Sequence, residues 1–318
     1  MKVFVAGHNG MVGSAICSEL HNNGSYEVLT RNKLELNLLN QEDCLNFLKK
    51  EHPDIVIVAA AKVGGIRANS EFQSEFLYEN LQIQNNLIYG SHLADINKVL
   101  FLGSSCIYPK FAKQPITEEE LLSGYLEKTN EGYAIAKITG LKLCEFLIKQ
   151  YDRDFRSLMP CNLYGPKDNF SLENSHVIPA LLRKFHIGKT GNHPKVEIWG
   201  TGKPKREFLH VEDLAKACLF VLKKEKDDFS KLYKEDIFFQ NIGSGYDISI
   251  KEVAESIQNV VGFNGELFFD KSMPDGTPKK LLDISKISKL GWKQTINFKD
   301  GIAKTYKWFL ENYESLRT

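Results

Sequence analysis

Short apolar, β-rich runs alternate with helix-length amphipathic stretches through the first half of the chain. The runs are Val3–Ala6, Glu27–Thr30, Ile55–Ala60, Val99–Leu102 and Arg156–Met159. Between them, 12–22, 41–51, 71–95 and 133–151 read as helices, with apolar positions three and four apart. Strands that are apolar on both faces and separated by helices predict a parallel sheet covered on both sides. Right-handed crossovers make this a doubly wound α/β fold. After residue 165 the pattern loosens: Gly165-Pro166, Gly200, Gly202 and Pro204 interrupt it, and basic residues gather between Arg183 and Arg206. A helix is expected at 211–224, running into an exposed charged loop at 223–231. A further helix begins at Ser249, where Ser249 and Glu252 form a capping box ahead of Val253, Ala254, Ile257 and Val261. No composition shift marks a linker. The expectation is two interleaved parts, 1–165 and 166–318, meeting at a soft boundary.

Charge narrows the function. The chain of 318 residues carries 41 basic and 40 acidic side chains, so a general polyanion binder is excluded and no nucleic-acid partner is expected. The apolar run in MKVFVAGHNG is too short for a signal peptide, and no stretch reaches the apolar length of a membrane helix. Six cysteines lie scattered without a C-x-x-C pair, which reads as free, mostly buried thiols in a reducing cytoplasm and no metal site.

The first strand runs into Gly7-His8-Asn9-Gly10-Met11-Val12-Gly13, a G-x-x-G-x-x-G spacing. The first glycine allows a tight turn, the second lets backbone approach a diphosphate, and the third lets helix pack on strand. The helix N-terminus then faces the anion, which points to a dinucleotide. The second strand ends in Thr30-Arg31-Asn32-Lys33, with no carboxylate for a ribose 2′-hydroxyl. Arg31 and Lys33 suit a 2′-phosphate instead, so NADP(H) is the expected cofactor.

Tyr133-Ala134-Ile135-Ala136-Lys137 places a phenol and an ammonium on one helical face. The ammonium is expected to lower the phenol's pKa, so that Tyr133 passes a proton to a carbonyl oxygen while Lys137 holds the nicotinamide ribose. Leu102-Gly103-Ser104-Ser105-Cys106-Ile107-Tyr108 follows the fourth strand, whose end opens into the crevice of such a fold. Ser104 is the first choice to bond the reacting oxygen, with Ser105 close behind.

The strings AGHNGMVGSAI, AAAKVGGI, LGSSCIYPK, YAIAK, NLYGP, NSHVIPALLRKF, REFLHVED and PDGTPKKLLD together resemble the GDP-L-fucose synthases. These are extended short-chain dehydrogenase/reductases, and the likeness runs from Met1 almost to the last helix. The resemblance implies a homodimer, formed through the long helices near 75–95 and 133–151. It also implies epimerisation of GDP-4-keto-6-deoxy-D-mannose at C3 and C5 followed by NADPH reduction at C4. Cys106 is then the base and His176 the acid, both tunable into that role. The same register gives the cofactor Gly7, Asn9, Gly10, Met11, Val12, Gly13, Arg31, Lys33, Asn37, Leu38, Leu102, Gly103, Ser104, Ser105, Lys137, Pro160, Asn162, Leu163 and His176. It gives the GDP-sugar Ser105, Asn162, Lys184, Trp199, Arg206 and Asp275.

Four positions depart from the pattern. Asn9 and Lys184 stand where the family tends to carry arginine, Gly132 where it carries proline, and Cys161 where it carries threonine. A changed pocket points to a second reading, a C4-reductase of another GDP-4-keto sugar such as a heptose. A 4,6-dehydratase does not fit, because Ser104-Ser105-Cys106 lacks the carboxyl acid that expels water. A non-catalytic NADP(H)-binding sensor has no need of Ser104, Tyr133 and Lys137 together.

Overall fold

The computed structural model describes residues 1–316 except 173, 174, 235 and 274. The first half contains β1 (Lys2–Ala6), α1 (Met11–Asn23), β2 (Glu27–Leu29), α2 (Gln41–Glu51), β3 (Ile55–Val58), α3 (Ile66–Glu71), α4 (Gln73–Leu93), β4 (Lys98–Leu102), α5 (Glu131–Tyr151) and β5 (Asp154–Pro160). There follow β6 (Asn162–Tyr164), α6 (Val177–Thr190), β7 (Lys195–Trp199), β8 (Lys205–His210), α7 (Val211–Lys223), α8 (Lys226–Ser230) and β9 (Gln240–Ile242). The chain ends through β10 (Asp247–Ser249), α9 (Ile250–Val261), β11 (Glu266–Asp270), β12 (Lys279–Lys280), α10 (Ser285–Lys289) and α11 (Phe298–Glu311).

Six strands form one parallel sheet in the order β2-β1-β3-β4-β5-β9. The Ile-Val-Ile-Val of β3 is buried throughout, as a strand covered on both faces requires. Strand order reverses at β1, so a crevice opens beyond the carboxyl ends of β1 and β3, where α/β sheets bind ligands. Local chemistry starts the helices. Asn40 accepts the amides of Glu42 and Asp43 ahead of α2, and the Ser249–Glu252 capping box forms ahead of α9. A second assembly lies past β5: β8 is flanked by β10, β12 and β6, β7 pairs with β11, and α6, α9 and α11 share an aromatic core around Phe185, Phe263 and Phe309.

The expected helix at 71–95 is α4, set apart from the short α3 by Phe72 at φ −121°, ψ 41°. Two local readings change. The charged segment at 223–231 is not a bare loop: it contains α8, whose Phe229 is buried in the main core beneath Arg156. Helices α6 and α11 are additional to the expected set. All six cysteines are free and all but Cys17 are buried. No helix among the described residues is long and apolar enough to cross a membrane.

Candidate active site

The glycine loop is tight enough to require its glycines. Gly7 follows β1 at φ +90°, and a Cβ there would stand 2.7 Å from the backbone of Ala60. The Gly10 amide bonds the Gly7 carbonyl at 3.0 Å, and a Cβ at Gly13 would strike that same carbonyl. The first-turn amides of α1, from Met11, Val12 and Gly13, face no side-chain cap and no acidic residue. His8 Nδ1 is buried without a partner beside them. Open amides and a cradle that any Cβ would fill fit the diphosphate of a dinucleotide. Asn37 and Leu38 continue the rim: the Asn37 side chain accepts the Leu39 amide, and the Leu38 carbonyl accepts from Asn86 at 2.9 Å. Arg31 turns away, pairing with Glu51 at 3.1 Å and lying over the Phe47 ring, whereas Lys33 is exposed.

Beyond β4, Gly103 lies against the Met159 side chain and bonds the Leu158 carbonyl at 2.9 Å, which fixes the next residue. Ser104 caps a short 3₁₀ turn over residues 105–107, its Oγ accepting the Cys106 amide at 3.3 Å. Ser104 keeps part of its surface open, whereas Ser105 is buried. From α5, Lys137 Nζ donates to the Leu102 carbonyl at 2.8 Å and sits 5.7 Å from the centre of the Tyr133 ring. Ser104, Cys106, Tyr133 and Lys137 therefore converge on one end of β4.

Burial dominates their protonation. It pushes the Tyr133 phenol up, and a charge on Cys106 would add to the effect. The expected lowering of this phenol by Lys137 does not occur, because desolvation of a buried phenolate outweighs an ammonium engaged with Leu102. Lys137 instead falls to about 8 by burial, partly offset by Cys106. Burial also raises the Cys106 thiol, against which Lys280, the Ser104 hydrogen bond and Lys137 pull downward.

Lys280 is the residue that sequence reasoning missed. It lies on β12 opposite Arg206 of β8, and Glu207 secures the pairing by accepting the amides of Leu282 at 2.9 Å and Gly245 at 2.7 Å. Its ammonium forms no ion pair or hydrogen bond among the described residues. Burial lowers its pKa, while Cys106 draws it up and Arg206 lowers it further. PDGTPKKLLD held the clue, a lysine pair on a short apolar-flanked strand, but nothing local says what it faces.

The remaining candidates frame this centre. Pro160 closes β5, and Asn162 opens β6 with its side chain donating to the Glu207 carbonyl at 2.9 Å; Leu163 follows it on β6. His176 precedes α6 without capping it by its side chain. The residue is exposed, and desolvation by the surrounding protein lowers its imidazole pKa. Asn174, which heads its string, lies outside the described residues. Lys184 Nζ lies 5.3 Å over the exposed Trp199 ring. Asp275 accepts the Thr201 amide and hydroxyl at 2.8 and 2.7 Å next to Gly200, and its charge reaches Arg206. Arg206 is itself anchored on the Lys205 and Thr277 carbonyls. A basic, aromatic rim thus stands beside Lys280, and Lys280 links it to Cys106. Among the described residues no cluster suits a metal ion.

Residues 3–233 match the model of the NAD dependent epimerase/dehydratase family. A GDP-L-fucose synthase from Escherichia coli is 52% identical over 316 residues, covering 99% of this chain and 98% of that protein. The chain belongs to the GDP-L-fucose synthase family. The likeness reaches further members and neighbours. A GDP-L-colitose synthase from Yersinia pseudotuberculosis is 40% identical, over 98% of both chains. The crystal structure of a GDP-D-glycero-L-gluco-heptose synthase from Campylobacter jejuni, in the presence of NADPH, superposes with a TM-score of 0.91 at 40% identity, covering 97% of this chain and 98% of that one. Within this family fold, the Ser104–Cys106–Tyr133–Lys137 cluster occupies the crevice end of the sheet.

Proposed function

We propose that this chain converts GDP-4-keto-6-deoxy-D-mannose to GDP-L-fucose, epimerising C3 and C5 and reducing C4 with NADPH. The observation that carries this reading is a buried thiol, Cys106, on the same turn as Ser104 and within electrostatic reach of Tyr133. A plain ketoreductase needs the Ser-Tyr-Lys set; a proton-exchanging thiol beside it suits a substrate whose α-carbons must invert. When bound, NADPH supplies the hydride for C4. The glycine loop with Asn9, Met11 and Val12 holds its diphosphate, and Lys137 holds its nicotinamide ribose.

Ser104 and Tyr133 bond the C4 oxygen, so that charge building there as an α-proton leaves is stabilised. Ser104 serves rather than Ser105, because Ser104 keeps part of its surface open and Ser105 is buried. Cys106 accepts the α-proton, and His176 returns one on the opposite face. Tyr133, kept protonated by burial, gives its proton to the C4 oxygen in the reduction. Arg206 and Lys184 meet the diphosphate, Trp199 offers a face to the guanosine, and Asp275 bonds ribose or base.

The test is turnover of GDP-4-keto-6-deoxy-D-mannose with NADPH in deuterated water, read by NMR. Deuterium at C3 and C5 of GDP-L-fucose is expected. Cofactor oxidation without deuterium uptake would leave a simple C4-reductase. That second reading draws support from the Campylobacter heptose enzyme and from Gly132, Lys184 and Cys161, and GDP-4-keto-heptoses are its substrates. The same proposal includes a division near residue 165 into cofactor and GDP-sugar parts, a cytoplasmic location, and a homodimer through the outer faces of α4 and α5.

A further inference from the structure

Between the glycine loop and the tip of β2 lies a cavity of about 320 Å³, bordered by His8, Asn9, Cys17, His21, Thr30 and Lys167 among others. In a doubly wound sheet this is where the adenosine ribose meets the second strand: a carboxylate there bonds a 2′-hydroxyl, and a cation accommodates a 2′-phosphate. No carboxylate is among the described residues bordering it. The two cations that the sequence offers for the task do not border it either. Arg31 is held on the Thr30 carbonyl at 2.8 Å, on Glu51 and on Phe47, and Lys33 stands outside the lining.

Lys167 does border the cavity, and it arrives from the loop after β6 in the other half of the chain. Its backbone lies at φ +64°, a conformation that residues other than Gly, Asn and Asp seldom adopt. Strain of this kind is kept where it aims a side chain at a task. No internal partner explains it, since Lys167 is exposed and forms no ion pair or hydrogen bond among the described residues. The adjoining Asp168 turns inward, with Oδ2 buried and unpartnered. The charge does reach the cavity: burial raises the Cys17 thiol to about 11, and Lys167 acts against that rise.

We propose that Lys167 supplies the cation that holds the 2′-phosphate of NADP(H), in place of an arginine at position 9, and so sets the preference over NAD(H). The inference rests on the NADPH reading above. Its test needs no turnover: titrate the full chain with 2′,5′-ADP and with ADP by calorimetry, for wild type, Lys167→Asn and Lys167→Arg. Asparagine tolerates the left-handed backbone, so the loop should keep its shape. Wild type is expected to prefer 2′,5′-ADP. Lys167→Asn should weaken 2′,5′-ADP roughly tenfold or more while leaving ADP unchanged, as loss of a charge-assisted contact requires. Lys167→Arg should restore most of the preference. A preference that survives in Lys167→Asn overturns the role of Lys167 and leaves the NADPH reading intact. Equal binding of the two probes by wild type overturns the NADPH reading itself.

Discussion

At the scale of single residues, the convergence of Ser104, Tyr133 and Lys137 was legible because its logic is local. Tyr133 and Lys137 share one helix face, and Ser104 follows a strand end, so spacing alone brings each to the crevice. Lys280 was not legible, because strand pairing with β8 brings it to Cys106 from the far end of the sequence. Its importance follows from protonation. A working pair needs Cys106 as thiolate and His176 ready to donate, yet burial raises the thiol and lowers the imidazole, so both shifts favour the neutral pair. The ammonium of Lys280, unpaired among the described residues, works against the first of these shifts. Lys280→Met should therefore raise the thiol pKa further, and at pH 7 the thiolate fraction drops about tenfold for each unit of rise. The rate of C3 and C5 deuterium exchange should fall by about that factor, with its pH profile displaced upward, and Lys280→Arg should bring the profile back. A rise in KM with an unmoved exchange profile would assign Lys280 to the diphosphate beside Arg206 instead.

At the scale of elements, strands and capped helices were readable, because apolar runs and the Ser249–Glu252 box act over a few residues. Breaks and packing distances were not. The short α3 ahead of Phe72 was not read, and α8 was hidden because one buried aromatic, Phe229, sits in a run of charges. The departure at Gly132 gains its reason only from the neighbouring helix. Its amide donates to the Gln73 side-chain oxygen at 3.3 Å, a bond proline cannot make, and a Cβ would stand 2.5 Å from the Gln73 carbonyl. The start of α4 thus presses on the start of α5 one residue before Tyr133. Gly132→Ala should push the two helix ends apart and cost about 1–3 kcal/mol, as overpacking does. Thermal denaturation should report a lower Tm, and reduction should slow through kcat more than KM, because the phenol moves while the diphosphate rim does not. An unchanged Tm would mean that α4 gives way freely at Gln73.

At the scale of the whole molecule, one feature of the surface has no partner among the described residues. Helices α4 and α5 pack side by side, each burying one face against the sheet and the other helix. Their outer faces are also apolar. Tyr89 and Leu93 on α4, with Ile135 and Phe146 on α5, are each exposed by more than two-fifths of their surface, and Tyr89 and Leu93 border a groove of about 420 Å³ that Leu143 of α5 also lines. A helix that is apolar on two opposite faces is built to be covered on both. Large aromatics exposed together mark an association surface more often than a solvated one. The two-helix face also matches the geometry of a two-fold dimer, in which each α4–α5 pair docks on its copy and a four-helix layer results. In the proposed dimer, Phe146→Glu would place a charge in that layer, twice by symmetry, where it would be desolvated without a counter-ion. Sedimentation velocity should then find the wild-type chain at twice the mass of the variant, while circular dichroism of the two stays the same. The site lies at the opposite, sheet-facing side of α5, so the monomer should still bind 2′,5′-ADP. A variant that remains a dimer would move the interface off this face and leave the apolar groove to some other occupant.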